Sequence, residues 1–414
     1  MNKILLANID KPEQASLSKY RERGGYKPLE KALAMAQPAL VEEVKASGLR
    51  GRGGAGFPTG MKWSFVDRSK GKPVYLLCNA DESEPGTFKD RLLMERDPHM
   101  MIEGMAIASY ALDCHLSYIY IRGEYEFVAN TVQKALDEAY AAKILGPSVM
   151  GNDFALDIFI HLGQGAYICG EETSLIESLE GNRGYPRIKP PFPASHGFLA
   201  SPTVVNNVET LAALPWIIQN GAAAYASMGT EKSKGTKLFS VSGHVAKPGV
   251  YEVVMGYPLL DFINNEAGGV PNGRKLKAVI PGGSSVPVLT AAECEGVLLD
   301  YESLAKAGTM LGSGGMIVLD DTTSMPETLS VIADFYAHES CGQCTPCREG
   351  TGWAAKILKN IVAGKGKRSD LDLLLKICDR MEGKTICPLA DADVMPIRSF
   401  VTKFRSEFEA LCAD

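Results

Sequence analysis

The sequence predicts a multidomain protein, α/β at the start and α+β in the middle, that closes in a helical bundle. Three observations carry this. From about residue 51 to 236, short apolar runs alternate with helical patterns, which implies an α/β layer over a largely parallel sheet. Residues 237–322 carry strand patterns with turn signals, as expected of a small β-rich α+β unit. Residues 323–414 repeat apolar side chains at helical spacing, as in a bundle. Residues 1–50 read as a polar, helical lead-in ending in Pro38–Gly48.

In the first unit, Val74–Cys78, Tyr118–Ile121 and Leu156–Ile160 are runs of strand length. Stretches near 99–113, 126–142, 171–180 and 208–220 read as helices. In the second, Leu238–Ser242 alternates, Lys247-Pro-Gly249 turns and Val250–Val253 extends. A short helix near 258–267 and strands near 276–280 and 316–319 follow. In the third, Leu329, Ile332, Ala333 and Tyr336 share one helical face. Leu371, Leu374, Leu375 and Cys378 share a second, and Ile397, Phe400, Val401, Phe404 and Phe408 a third. A helix over about 352–362 completes a four-helix bundle.

Composition bounds the function. The chain has 414 residues, 45% hydrophobic and 22% charged, which suits a soluble globular protein of two to four domains. The net charge of −6 disfavours nucleic acid as a partner. No run approaches the ~18 apolar residues of a membrane span, and the start holds only the short run Ile4–Ala7. A reducing compartment is therefore expected, with membrane attachment only through a partner.

Cys341, Cys344 and Cys347 form C-x₂-C-x₂-C, and Cys387 stands 40 residues further on in Thr-Ile-Cys-Pro-Leu. Three evenly spaced thiolates with a distant Cys-Pro favour a [4Fe–4S] cluster, which needs four thiolate corners. A zinc site, with His338 replacing one ligand, and a redox dithiol are the alternatives. The three clustered cysteines are expected in the turn between the first two bundle helices and Cys387 in the turn before the last. Cys378 sits on the apolar stripe and reads as core.

Five further segments carry chemistry. Leu49–Lys62 interleaves five glycines with Arg50, Arg52 and Lys62. It fits G-x-G-x-x-G at Gly51, Gly53 and Gly56, but follows a helix rather than a strand, so a phosphate-approaching backbone loop is the better reading; a mobile surface loop is the plainer one. Cys78–Gly86 directly follows a strand and offers Asn79, Asp81, Glu82 and Glu84 where ligands sit in such sheets. His161–Ser174 repeats the pattern, with Gly163, Gly165 and Gly170 before a helix whose Glu171 and Glu172 could simply complement the helix dipole. Phe192, on a stiff Pro-rich segment, joins Phe57, Phe65 and Tyr167 as candidates for stacking on flat rings. Thr203–Thr210 reads as the opening of another helix, with Asn206, Asn207 and Thr210 as caps or ligands. No Ser-His-Asp set is evident, which suits chemistry carried by a cofactor.

These segments together, in order along nearly the whole chain, resemble the NADH-binding flavoprotein component of respiratory complex I (the F-type subunit of NADH:quinone oxidoreductase). The carrying motifs include Gly-Arg-Gly-Gly-Ala-Gly-Phe-Pro-Thr-Gly, Cys-Asn-Ala-Asp-Glu-Ser-Glu-Pro-Gly, Tyr-Ile-Cys-Gly-Glu-Glu-Thr, Val-Asn-Asn-Val-Glu-Thr and Glu-Ser-Cys-Gly-Gln-Cys-Thr-Pro-Cys-Arg. The resemblance implies a Rossmann-like FMN and NADH domain over 51–236, a β-grasp (ubiquitin-like, SLBB) domain over 237–322 and a [4Fe–4S] bundle over 323–414. It implies FMN contacts from Gly51, Arg52, Gly53, Gly54, Lys62, Asn79, Asp81, Ser83, Gly170, Glu171, Glu172, Asn206, Asn207 and Thr210. NADH contacts would come from Gly54, Gly56, Phe57, Lys62, Phe65, Glu84, Tyr167, Glu172, Lys189 and Phe192, with Glu84, Tyr167 and Glu172 supporting hydride transfer to the flavin. Cys341, Cys344, Cys347 and Cys387 would hold the cluster. Implied partners are a thioredoxin-like [2Fe–2S] subunit and a large multi-cluster iron–sulfur subunit, at the inner face of the cell membrane. Glu84 and Glu172 would also repel the 2′-phosphate of NADPH. The same module serves NAD-linked hydrogenases and formate dehydrogenases as a diaphorase, which is the near alternative; a zinc-stapled nucleotide-binding scaffold without turnover is the distant one.

Overall fold

The computed structural model describes residues 3–414. Its first sheet is wholly parallel, in the order β3-β2-β1-β4: β1 (Tyr75–Ala80), β2 (Leu116–Ile121), β3 (Asp157–Leu162) and β4 (Thr203–Asn207). The chain leaves β1 on one side toward β2 and β3 and returns on the other to β4. That reversal opens a crevice beyond the carboxyl ends of β1 and β4, where sheets of this kind bind ligands. Cys78 pairs with Asn206 and Asn79 with Asn207, and the Asn79–Asn207 pair closes the crevice floor.

Strand β4 departs from the sequence reading, which had Thr203–Thr210 opening a helix. Thr203, Val204 and Val205 are β-branched and fit a buried pleat between β1 and the following helices. The helix starts only at Val208, and the stretch 208–220 is two helices, Val208–Ala212 and Leu214–Asn220. The helices Lys27–Leu33 and Gln37–Ala46 bury Leu29, Leu40 and Val44 in the same core as the sheet, so the first fifty residues pack onto the α/β layer.

The middle unit is a five-stranded mixed sheet. In spatial order it runs Gly249–Val254 (β6), Thr236–Gly243 (β5), Gly315–Asp320, Leu276–Ile280 and Leu289–Thr290. Gly315–Asp320 lies parallel to β5 and antiparallel to its other neighbour. The Glu252 carboxylate of this unit accepts N–H groups of Ile4, Leu5 and Leu6, tying the start of the described chain to it.

The last unit packs helices Met325–Glu339, Thr345–Val362, Arg368–Met381 and Leu389–Lys403. The second begins well before residue 352, with Pro346 in its first turn, so Cys347 is helical while Cys341 and Cys344 stay in the turn. Cys378 is fully buried in the bundle core. One apolar cluster joins Tyr75, Leu77 and Tyr120 of the first sheet, Ala278 and Ile280 of the second, and the bundle interior, fixing the three units against one another. No helix among the described residues is long and apolar enough to cross a membrane.

Candidate functional site

A cavity of about 400 Å³ lies at the crevice, and all three units wall it. The α/β layer supplies Gly53, Gly54, Asn79, Asp81, Glu82, Ser83, Glu84, Lys89, Asp90, Tyr167, Gly170, Glu171 and Asn207. The middle unit adds Ser285, Val286, Met310 and Ser313, and the last bundle helix adds Pro388, Leu389, Ala392 and Met395. Sequence reasoning placed the site in the first domain alone. The middle unit's wall comes from segments with no motif, and Pro388 and Leu389 belong to the Cys387 segment; only the tertiary packing brings both to the crevice.

The glycine loop is clamped in place. Gly51 N–H donates to Phe57 O at 2.8 Å, and Tyr301 Oη donates to Gly51 O at 2.8 Å. Arg50 lies over the Tyr301 ring and pairs with Glu302 at 2.7 Å. At Gly56, with φ of +66°, a Cβ would stand 2.3 Å from Tyr301, so only glycine fits there. Arg52 N–H donates to Thr210 Oγ1 at 2.8 Å.

The structure sorts the expected residues into three groups. Gly53, Gly54, Asn79, Asp81, Ser83, Glu84, Tyr167, Gly170, Glu171 and Asn207 line the cavity. A second group supports the walls from behind. The Arg52 guanidinium is buried and donates to Tyr225 Oη at 3.2 Å and Lys234 O at 2.6 Å, so the cation expected at the cavity is turned away from it. Asn206 Oδ1 accepts from Trp63 Nε1 at 2.9 Å, Thr210 holds the loop, and Gly51 lies outside the lining. The third group is an ion network beside the cavity. Lys62 pairs with Glu172 at 2.7 Å, and Lys189 pairs with Glu171 at 2.8 Å and with Glu172 at 3.5 Å. Phe57, Phe65 and Phe192 are exposed at 47%, 57% and 58%, and the first two rings stand 6.2 Å apart. Open apolar rings of this kind suit a flat ligand rather than a core.

The cation that does line the cavity is Lys89, which sequence reasoning passed over inside Gly-Thr-Phe-Lys-Asp-Arg. It is almost fully buried between Asp90 at 2.7 Å and Glu209 at 2.8 Å. Its signal in the sequence was a lysine followed by one acid, Asp90, at the start of a helix, Lys89–Arg96, a pattern also common on solvated surfaces.

Burial governs the acids. It pushes Asp81 up to about 7, and one of its oxygens, Oδ2, has no hydrogen-bond partner. It raises Glu84 as well, against hydrogen bonds donated by Ser285 N–H and Tyr167 Oη. Burial works the same way on Glu172, but Lys62 and Lys189 outweigh it and hold that carboxyl low. A buried carboxyl with one unpartnered oxygen, one wall cation, bare glycine backbone and the apolar Val286, Met310 and Leu389 fit the polar edges, phosphate and ring of a flavin nucleotide.

All ten cysteines are free thiols. At one end of the bundle, Ile386 N–H donates to Cys344 Sγ at 3.5 Å and Ser340 Oγ stands 3.2 Å from Cys347 Sγ. Cys387 lies within electrostatic reach of Cys341 and Cys347. Burial pushes Cys347 up to about 11 and Cys387 up to about 12, so both stay neutral thiols unless a bound cation stabilises the thiolate. Among the described residues no three acid, His or Cys side chains share a single-ion site. Four thiols on a four-iron cube instead take separate corners, each on its own iron. Pro388 and Leu389, the residues after Cys387, line the cavity, so the two sites adjoin.

Known proteins carry the same combination. Residues 44–216 match the Nuo51 FMN-binding domain, 237–318 the SLBB domain, and 327–411 the NADH-ubiquinone oxidoreductase-F iron-sulfur binding region. The chain is 52% identical to an NADH-quinone oxidoreductase F subunit (the one numbered 2) of Rhizobium meliloti (strain 1021), over 98% of this chain and 97% of that one. It is 48% identical to the NADH-quinone oxidoreductase F subunit of Rickettsia bellii (strain OSU 85-389), over 98% of each. Among solved structures, an NAD+-reducing [NiFe]-hydrogenase in the H2-reduced state superposes with a TM-score of 0.88 at 38% identity, covering 99% of this chain and 66% of that one. With the cavity, the cysteine group and identity along nearly the full length in agreement, the chain belongs to the family of NADH-quinone oxidoreductase F subunits.

Proposed function

We propose that this chain is the electron-input subunit of an NADH:quinone oxidoreductase, taking a hydride from NADH and delivering single electrons to a partner's iron–sulfur centre. The observation that carries this reading is the adjacency of the cavity to the cysteine turn through Cys387, Pro388 and Leu389. When bound, FMN supplies an acceptor of electron pairs that releases electrons singly, and the cluster supplies the next one-electron carrier.

The protein's part is to bind and orient. In this reading Gly53, Gly54, Asn207 and Lys89 receive the flavin phosphate, and Asn79, Asp81, Ser83, Gly170 and Glu171 hold its polar edges. Arg52, Asn206 and Thr210 act from behind, by fixing the loop and the floor. Phe57, Phe65 and Phe192 stack on the nucleotide, while Lys62, Glu172 and Lys189 exchange partners among themselves and the incoming NADH. Glu84, held by Tyr167, faces the nicotinamide end. Cys341, Cys344, Cys347 and Cys387 ligate the cluster. The domains run 51–236, 237–322 and 323–414 behind the 1–50 lead-in. Partner iron–sulfur subunits, one thioredoxin-like and one multi-cluster, would take the electrons, and they would hold the chain at the cytoplasmic face of the membrane.

Anaerobic purification with any accompanying chains tests this. About one FMN and about four or more irons per chain, with visible absorbance bleached by NADH, are expected. A colourless protein holding one zinc, and inert after reconstitution, would overturn it. The superposition on a hydrogenase chain supports a second reading, a hydrogenase-linked diaphorase; co-purifying hydrogenase subunits in place of quinone-reducing ones would establish that instead.

A further inference from the structure

Lys237 lies near the start of β5, in the middle unit, and reaches beneath the glycine loop. Its side chain is fully buried. Its ammonium donates to Ser313 O at 2.9 Å, to Arg52 O at 3.4 Å and to Glu209 at 3.4 Å. Glu209 is equally buried and shared. Lys89 stands 2.8 Å from its Oε2, and Leu238 N–H donates to its Oε1 at 2.8 Å. Lys89 is the cavity's cation, and the Arg52 carbonyl immediately precedes Gly53 in the cavity wall. The Arg52 guanidinium keeps one buried nitrogen, Nη1, without a partner. A lysine of one domain thus grips the backbone and the counter-ion that set another domain's anion-facing wall.

We propose that Lys237 is a positioning residue for the flavin phosphate, holding Glu209 and the glycine loop so that Lys89 and the loop N–H groups face that phosphate. This rests on the reading that FMN binds with its phosphate at the glycine-loop end. The charged groups facing Lys237 are Glu209 on one helix, Lys89 and Asp90 on another, and Arg52 in the loop. Burial brings Lys237 down to about 7; Glu209 and Asp90 oppose that fall, and Lys89 and Arg52 add to it. A nearby phosphate dianion raises it again. Above about pH 7 the empty site must therefore take up a proton to bind FMN, and affinity falls by up to about tenfold per pH unit.

The test titrates FMN and riboflavin, by quenching of flavin fluorescence, into the full chain with its accompanying subunits after flavin removal. Wild type should bind FMN more tightly than riboflavin, with FMN affinity declining above about pH 7. Lys237→Met should weaken FMN by about tenfold or more, flatten that decline and leave riboflavin within about twofold. Lys237→Arg keeps the charge without titrating. It should bind FMN more tightly than the Met variant with the decline above about pH 7 absent, and it serves alone if the Met variant does not fold. Unchanged FMN affinity in Lys237→Met, equal weakening of both ligands, or a pH decline that persists in Lys237→Arg would overturn the role of Lys237. Equal wild-type affinity for FMN and riboflavin would instead overturn the phosphate placement itself, and the proposal with it.

Discussion

The cavity and the cysteine turn adjoin, yet they are built in opposite ways. The cavity draws walls from three units, and its polar side chains are tied down by ion pairs and hydrogen bonds: Lys89 by Asp90 and Glu209, Glu84 by Tyr167 and Ser285, Asn79 by the Gly170 carbonyl. The four cysteines come from one bundle, and hydrogen bonds at Cys344 and Cys347 are the main polar contacts of their sulfurs. In the function proposed above, the difference follows the bonding of each cofactor. A non-covalent flavin is bound by what the protein has arranged beforehand. A cluster brings four iron–thiolate bonds, and that metal-binding energy can organise a loosely prepared turn.

The contrast breaks most sharply at Cys387. Cys387→Ser should abolish the cluster, lowering iron from about four per chain to near zero and electron delivery to the partner by more than about 100-fold. FMN content should stay close to one, because the cavity's polar contacts do not depend on iron. Joint loss of iron and flavin would mean that the two sites are not built independently. Next in size, Lys89→Met leaves Asp90 and Glu209 buried around a missing cation. The expected cost is about 3–5 kcal/mol, divided between denaturant stability and FMN affinity, and measured by unfolding and flavin titration.

Smaller effects sharpen the picture at the cavity's nucleotide side. Glu172→Gln removes a charge that Lys62 and Lys189 hold ionised. NADPH turnover should rise by an amount corresponding to about 1–3 kcal/mol of relieved repulsion, with a lesser rise for Glu84→Gln, since burial favours its neutral form. No rise in either variant would remove discrimination against the 2′-phosphate from these residues. The smallest change is Tyr167→Phe, worth about 0.5–1.5 kcal/mol. The lost hydrogen bond stabilised the Glu84 carboxylate, so its pKa rises further. The acid limb of the NADH oxidation profile should then move to higher pH; an unmoved limb would separate Glu84 from the rate.

What the sequence disclosed follows the same contrast. The turn that holds the cysteines, and the places of Gly53, Gly54 and the acids after β1 at the crevice, were legible because each belongs to a local pattern fixed by spacing. Strand β4 was missed because Asn206, Asn207 and Thr210 resemble a helix opening, and the strand's burial beside β1 is a long-range fact. Arg52 and Lys89 exchanged places for a related reason. A sequence shows that a cation is present, but only packing decides which one turns toward Tyr225 and which toward the cavity. Val286, Met310, Ala392 and Met395 carry no signal of their own and became walls only when the units closed on one another.

The sharing of one cavity among three units also has a consequence for biosynthesis. Domains tend to fold in order from the N-terminus as the chain is made, but Met395, in the last wall, is synthesised well after the α/β layer. A half-made chain can therefore hold a finished α/β layer and still lack two of the cavity's three walls. Firm retention of the flavin is then expected only after the bundle has been made, and a chain cut short before it should hold FMN weakly.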